Sequence, residues 1–403
     1  MRGLLSVVAS TVVLVVAAAC GGSSTSSSPT SSPSPTSTTT VTATASPSTP
    51  VPPHAEGWRR IPDPPTSLGL INVWTGREVL ASLEGCCQSM DGPPIYAYGP
   101  AKRAWRTLPR YPLGERVGSA FVWTGTELIQ VGGRREIPNP GGPWTTREVR
   151  NGMALNPETR TWRRIAGAPQ AVPTQVVVWT GKEAIFADAE SLLRYNPSTN
   201  TWSRGRPIPG VDRGLPTVVW TGRELVVWGG SMIVGHGRSD YDMSLRDGYA
   251  YRPATDHWRL LPAAPIGAWG AVGAWDGHRV LVWGGEATRN QGRERFVQDQ
   301  GAAYDPITNA WSGLPQAPIP GTHSWDLTGA WTGRELVVIV TALRHSEHPE
   351  GAAYNPTTGR WRALPSGPTG EWLGGVRSVW TDQALVVLPG SFGRQALQYF
   401  PGY

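Results

Sequence analysis

The chain has 403 residues and a formal net charge of +6, from 36 basic and 30 acidic side chains, nearly all of the basic ones arginine. The excess is mild and spread along the chain, which argues against a nucleic-acid-binding protein. Its 20 tryptophans, 49 glycines and 38 prolines fit one large all-β domain of short strands and turns.

Met1–Cys20 reads MRGLLSVVASTVVLVVAAAC. One arginine precedes an apolar run that is short for a membrane span and ends in small residues, as a secretory signal does. A cysteine directly after Ala17-Ala18-Ala19 resembles the lipobox of bacterial lipoproteins. That resemblance implies removal of residues 1–19, a diacylglycerol on the Cys20 thiol, and a place on the outer face of the cell membrane. Ala17 stands where leucine is usual, and an ordinary signal peptide with an incidental cysteine is the other reading. Residues 23–53 are almost only Ser, Thr and Pro, without charge. They cannot build a core, so a disordered stalk, with Cys20 at its head, is expected over 20–53. As a flexible coil it reaches roughly 30 Å.

Residues 54–403 form the folded domain, and from residue 57 one unit recurs. Its clearest copy is GYAYRPATDHWRLLPAAPIGAWGAVGAWDGHRVLVWGG at 248–285, with close copies at 301–340 and 351–388 and looser ones at 96–133, 153–186 and 193–230. The spacing, about 40 to 57 residues, suits propeller blades. Each unit predicts four short strands. A Tyr-x-Pro strand (Tyr251–Pro253) meets a polar turn and a Trp-led strand (Trp258–Leu261). After a Gly/Ala/Pro loop comes an apolar strand ending at Trp275, a tight Asp276-Gly277 hairpin, and the β-branched strand Arg279–Trp283, stopped by Gly284-Gly285.

The hairpin recurs at Trp74, Trp123, Trp179, Trp220, Trp275, Trp331 and Trp380. The outer-strand tryptophans are Trp58, Trp105, Trp162, Trp202, Trp258, Trp311 and Trp361. Both series count seven. No outer strand follows Tyr399-Phe400-Pro401, and an orphan outer strand, Gly57–Pro62, stands at the other end. The two ends are therefore expected to share the last blade, which removes an open seam.

The Gly-Gly after the second strand, the Tyr-x-Pro strand and the tryptophan six or seven residues later resemble the kelch-repeat, galactose-oxidase-type β-propeller, over roughly residues 57–403. The resemblance implies an all-β, seven-bladed propeller of four-stranded blades. It says little about function, which lives in sites grafted on folds.

A residue type repeated in most blades serves the scaffold; one found once in a loop is free to serve a ligand. By that test Glu78, Glu127, Glu183, Glu224 and Glu335 of the Trp-Thr-Gly-x-Glu hairpins are structural. So are Arg59, Arg106, Arg163, Arg259 and Arg362 after the outer tryptophans. Loops joining second to third strands share a face with the blade-to-blade loops. The resemblance implies that this face binds ligands. Here those loops are long and read as irregular: Cys86–Pro94, Arg134–Arg150, Ser231–Asp247, Glu286–Gln300 and Ala342–Glu350.

Arg134, Arg238, Arg293 and Tyr241 lie in these loops, and Trp269, Trp325 and Trp372 precede innermost strands near the central channel. Aromatic faces beside guanidiniums suit a sugar or an anionic polymer. The bland alternative is a solvated rim with tryptophans packed between blades. Cys86-Cys87 either forms a strained vicinal disulfide in an oxidising compartment or stays as two thiols. His345, Glu347, His348 and Glu350 are a weak metal set, as are His236, Asp240 and Asp242, and neither is taken as a metal site. No cofactor is expected: a copper oxidase needs a cysteine–tyrosine cross-link, a second tyrosine and two histidines, and the domain cysteines are only that pair.

Three functions follow as expectations. The first is a monomeric, lipid-anchored binding propeller that recognises a glycan or an envelope protein. The second is a carbohydrate-active enzyme, by analogy with propeller mutarotases, using Asp240, Asp242, Glu347 or Glu350. The third is an assembly module for envelope proteins.

Overall fold

The computed structural model describes residues 55–65, 71–82, 94–114, 116–137, 145–235, 241–323, 326–341, 349–368, 376–389 and 395–402. Residues 1–54, with the expected signal segment, Cys20 and the whole Ser/Thr/Pro stretch, lie outside them. The described chain is all-β and contains seven four-stranded antiparallel sheets. Their innermost strands, Ile71–Trp74, Ala120–Trp123, Val176–Trp179, Thr217–Trp220, Val272–Trp275, Leu327–Trp331 and Arg377–Trp380, number blades 1 to 7. Neighbouring innermost strands pack around a common axis, so the seven-bladed propeller is as expected.

Burial explains the strand sequences. Second strands such as Leu225–Trp228, Val280–Trp283 and Leu336–Val340 are buried along their whole length, so they read as unbroken apolar runs. Outer strands such as Thr161–Ile165 keep exposed and half-buried positions, so they carry Thr and Arg. The buried side chains form seven clusters, one at each junction between adjacent blades. Each fully buried Val or Leu contributes roughly 1.5–3 kcal/mol, so the core is divided evenly around the ring. The hairpin glycines Gly76, Gly125, Gly181, Gly222, Gly277 and Gly333 hold φ near +90° (85° to 96°). Blade 7 replaces that glycine with Asp382 (φ 65°), whose carboxylate accepts the Trp74 indole N–H at 2.8 Å.

The termini close the ring as the motif count predicts. Gly57–Ile61 is the outer strand of blade 7, paired antiparallel with Ala396–Phe400, and Trp58 faces Tyr399 in register. Glu56 reproduces a device of blades 3, 4 and 5. There the tyrosine hydroxyl donates to a turn residue two before the outer tryptophan: Tyr195 to Asn200, Tyr251 to Asp256, Tyr304 to Asn309, at 2.7–2.8 Å. In blade 7 Tyr399 donates to Glu56 at 2.5 Å. The first residues of the domain thus stand where the missing turn would be.

A second device runs around the whole ring. Every outer tryptophan donates its indole N–H to a backbone carbonyl just past the outer strand of the preceding blade. The pairs are Trp105 to Pro62, Trp162 to Pro109, Trp202 to Ala166, Trp258 to Arg206, Trp311 to Pro262, Trp361 to Pro315 and Trp58 to Pro365, at 2.8–3.0 Å. The repeated charges are structural too. Glu78, Glu127, Glu224 and Glu335 bind Arg106, Arg163, Arg259 and Arg362 of their own blades. Glu183 instead takes Arg194 from the third strand, because Ser203 follows Trp202. Blade 7 has Ala384 in place of the glutamate, and Arg59 stacks on Phe400 at 4.6 Å.

The structure corrects the reading of the long loops. Three of them are not irregular but form two-stranded hairpins: Arg134–Ile137 with Thr145–Glu148, Ser231–Val234 with Tyr241–Ser244, and Glu286–Arg289 with Glu294–Val297. Each starts directly after a Gly-Gly pair at positive φ and bridges back to the loop before its own innermost strand. The segments are short and lack the alternation of a half-buried strand, which hid them in the sequence.

Two outcomes test this architecture. Deleting residues 395–403 removes the third strand of blade 7 and strands Gly57–Ile61; thermal denaturation is expected to show a collapse of cooperative unfolding, and an unchanged melting temperature would refute the closure. Glu78 is held below the usual carboxylate range chiefly by its hydrogen bond from Arg106. Its stabilisation is present above the unfolded-state pKa and is lost as pH falls through the folded one. Urea unfolding of Glu78→Gln should show a loss of about 1–2 kcal/mol at neutral pH that shrinks in acid.

Candidate functional site

The long-loop face is uneven. Blade 3 carries only a tight turn there, in which Asp188 Oδ1 accepts the backbone N–H groups of Glu190 and Ser191 at 2.9 and 2.7 Å. Burial pushes the Asp188 carboxyl up, against those hydrogen bonds. On one side of this low point stands the hairpin of blade 2; on the other stand the hairpins of blades 4 and 5.

The hairpins of blades 4 and 5 are joined into one ledge. Ser244 N–H donates to Thr288 Oγ1 at 2.9 Å, and Thr288 N–H donates to Ser244 Oγ at 3.0 Å. Arg295 donates to Asp242 at 3.0 Å. The Tyr241 ring fills the space beside Gly292: a Cβ there would lie 2.1 Å from a ring carbon, so no larger residue fits. Arg293 follows at the exposed tip. The Arg295 guanidinium lies 5.0 Å above the Trp269 ring. Ledge and rim expose apolar side chains: Ile233 is 73 % exposed, and Ile137, Val211 and Val297 are exposed as well.

The structure therefore brings together Tyr241, Arg293 and Trp269 and leaves Arg134 apart on blade 2. Trp269 is a correction. Its position before the innermost strand suggested an open stacking platform, but it is 2 % exposed, tied through its backbone to Glu286 and covered by Arg295. A sugar would have to displace that guanidinium to stack there. Arg134 is fixed by two backbone hydrogen bonds with Val117 and lies opposite Glu148. Arg238, Trp325, Trp372, Cys20, Cys86 and Cys87 lie outside the described residues. So do Asp240 and Glu347, two of the carboxylates proposed for an enzyme. Of the other two, Asp242 is bound to Arg295 and Glu350 sits in the ladder opposite Val340. Among the described residues no group of three or more His, Cys, Asp or Glu side chains could hold a metal.

Sequence reasoning missed two buried arginines. Arg213, 1 % exposed, donates to the Gly229 carbonyl at 2.9 Å and to the Asp247 carboxylate at 2.8 Å. Arg116 does the same for Gly132 and Asn151. Each lies seven residues before its hairpin tryptophan, Trp220 or Trp123, which was the available signal. They hold the Gly-Gly kink from which a rim hairpin starts. Tyr111, stacked by Arg116, is pushed up to about 12 by burial. A further pair, Glu286 and His323 at 3.5 Å, joins a buried carboxylate to a half-exposed imidazole across two blades, and no short spacing announces it.

The geometry has counterparts among known proteins. No family model matches the chain. Kelch-like protein 36 of Rattus norvegicus is 26% identical over 234 residues, 56% of this chain and 35% of that protein. Kelch-like protein terF of Aspergillus terreus is 27% identical over 232 residues, 55% of this chain and 48% of that protein. These matches span a third to a half of the length of the curated relatives. The solved structure titled "Structure of YjhT" superposes with a TM-score of 0.50 at 14% identity, covering 84% of this chain and 99% of that one. The fold is that of a kelch-repeat β-propeller.

Proposed function

We propose that this propeller is a binding module, held at a bacterial cell surface by a lipid on Cys20, that recognises a glycan or an envelope protein with its long-loop face. The coarser part rests on the fold, since a kelch-type propeller is a scaffold for binding and protein interaction. The observation that carries the finer part is the ledge: two hairpins locked by reciprocal hydrogen bonds present Ile233, Val297, Tyr241 and Arg293 on a rigid support. Rigid display of apolar, aromatic and cationic groups lowers the ordering cost of binding. The other face is used up by repeated turns and by Glu–Arg pairs that serve the ring. Glu56 and the start of the strand Gly57–Ile61 also lie on that repetitive face, away from the rim. The carbohydrate-active reading has the Glu286–His323 pair in its favour, but Asp242 is neutralised by Arg295.

Two measurements test the reading. Glycan-array screening and pull-down from cell envelopes should give a hit that Ile233→Asp and Arg293→Ala weaken about tenfold or more while the melting temperature holds. A hit indifferent to both variants would place binding elsewhere. Replacing Cys20 by Ser should move the protein from the membrane to the soluble fraction; retention would refute the anchor.

A further inference from the structure

We infer that the hairpin of blade 2 is an oxyanion-binding site, formed by Arg135 and Arg147, that takes a carboxylate-, sulfate- or phosphate-bearing glycan. The inference rests on the binding reading above and names the ligand class for one part of that face.

The three rim hairpins are built alike, so they control for one another. Each begins with the residue that bridges back to the channel-side loop: Arg134, Ser231 or Glu286. The next residue and its cross-strand partner are Met232 with Met243 in blade 4 and Ala287 with Phe296 in blade 5. Both pairs are apolar, and Ala287 is buried. In blade 2 the same pair is Arg135 with Arg147. The scaffold does not require charge at this position, since two hairpins form without it.

Two like charges directly opposite on one face destabilise an antiparallel pair. Their side chains stand on the same side of the hairpin, with Cβ atoms about 4.5–5.5 Å apart. Both are exposed, and among the described residues neither guanidinium has a hydrogen-bonding or ion-pair partner. The nearest pairs on that face are Ile137 with Thr145 and the backbone at Gly133 and Val149, none of which is a carboxylate. Glu148 lies opposite Arg134, on the other face. Arg116 lies behind and adds positive potential: its own charged form is disfavoured first by burial and also by Arg135. The other hairpins treat their arginines differently. Arg289 is held by Glu294, its cross-strand partner, and Arg295 by Asp242.

An oxyanion between the two guanidiniums turns this repulsion into two charge-assisted contacts, which guanidiniums make bidentately. The site is an open surface rather than a cavity, so it fits a group displayed along a chain. The hydroxyl of Thr145 beside it suits the hydroxyls of a sugar ring better than an apolar peptide side chain.

The test is binding of dextran sulfate, neutral dextran and polyglutamate to the full chain, by calorimetry at low and at moderate salt. Wild type is expected to bind dextran sulfate, weakening as salt rises, and to ignore neutral dextran. Arg135→Gln and Arg147→Gln should each cost about tenfold or more in affinity. Their melting temperatures should hold or rise, because a repulsion has been removed. Lys182→Gln, exposed on the opposite face, should leave this binding unchanged. Binding that persists in both glutamine variants overturns the site. So does a fall of several degrees in their melting temperature without loss of binding, which would make the pair structural. Binding of polyglutamate with none of dextran sulfate overturns the glycan assignment. A ligand that depends on Ile233 and Arg293 but not on Arg135 or Arg147 defeats this inference and leaves the binding reading standing.

Discussion

A ring of sheets has no first and no last member, yet a chain has two ends. The indole-to-carbonyl hydrogen bonds reconcile the two. Each outer tryptophan reaches back to the blade before it, and each strand end offers a carbonyl to the blade after it. Segment 57–62 does both: Trp58 donates to Pro365 and Pro62 accepts from Trp105. Removing this one segment breaks two links of the ring, the pairing with Ala396–Phe400, and the apolar cluster that Ile61 shares with Val79 and Val386. A partly buried hydrogen bond of this kind contributes only about 1 kcal/mol net. Its value here lies in repetition, because the same link recurs at all seven junctions between blades.

That constraint divides the molecule. The face with tight hairpins is committed to the ring: threonines close the turns, glutamates hold arginines, and arginines such as Arg106 and Arg194 reach the Pro157 and Pro253 carbonyls of the next blade. The opposite face carries connections that differ from blade to blade, and where they touch, as between blades 4 and 5, they tie neighbours locally rather than repeat around the ring. Blade 3 has a bare turn where blades 2, 4 and 5 have hairpins. Buried Arg116 and Arg213 mark where two of those hairpins begin, each satisfying a carbonyl of a Gly-Gly kink that would otherwise be left buried.

The scaffold was legible because each blade restates it. Seven hairpin tryptophans and seven outer tryptophans set the number of blades, and the unmatched strand at Gly57 set the closure. The repeated glutamates and arginines were assigned to the scaffold by recurrence, and their pairing bears that out except that Ser203 sends Glu183 to Arg194 and that Arg59, with Ala384 in place of a glutamate, stacks on Phe400. The rim was legible in place but not in form. Four-residue strands such as Thr145–Glu148 are exposed throughout, so no apolar alternation betrays them. The contact that covers Trp269 comes from Arg295, on the far side of a hairpin whose existence had to be known first. Non-local cover of this sort has no signature in local spacing.

The direction of the strand at Gly57 has a mechanical meaning. It starts on the face of the tight hairpins and runs toward the face where the rim stands. A pull between the two faces therefore acts along its length. Its five register pairs, from Gly57–Phe400 to Ile61–Ala396, bear such a load side by side and must yield together rather than unzip in turn. The weakest place in the covalent order of the ring is thus oriented for shear, the geometry in which a short β-strand resists force best.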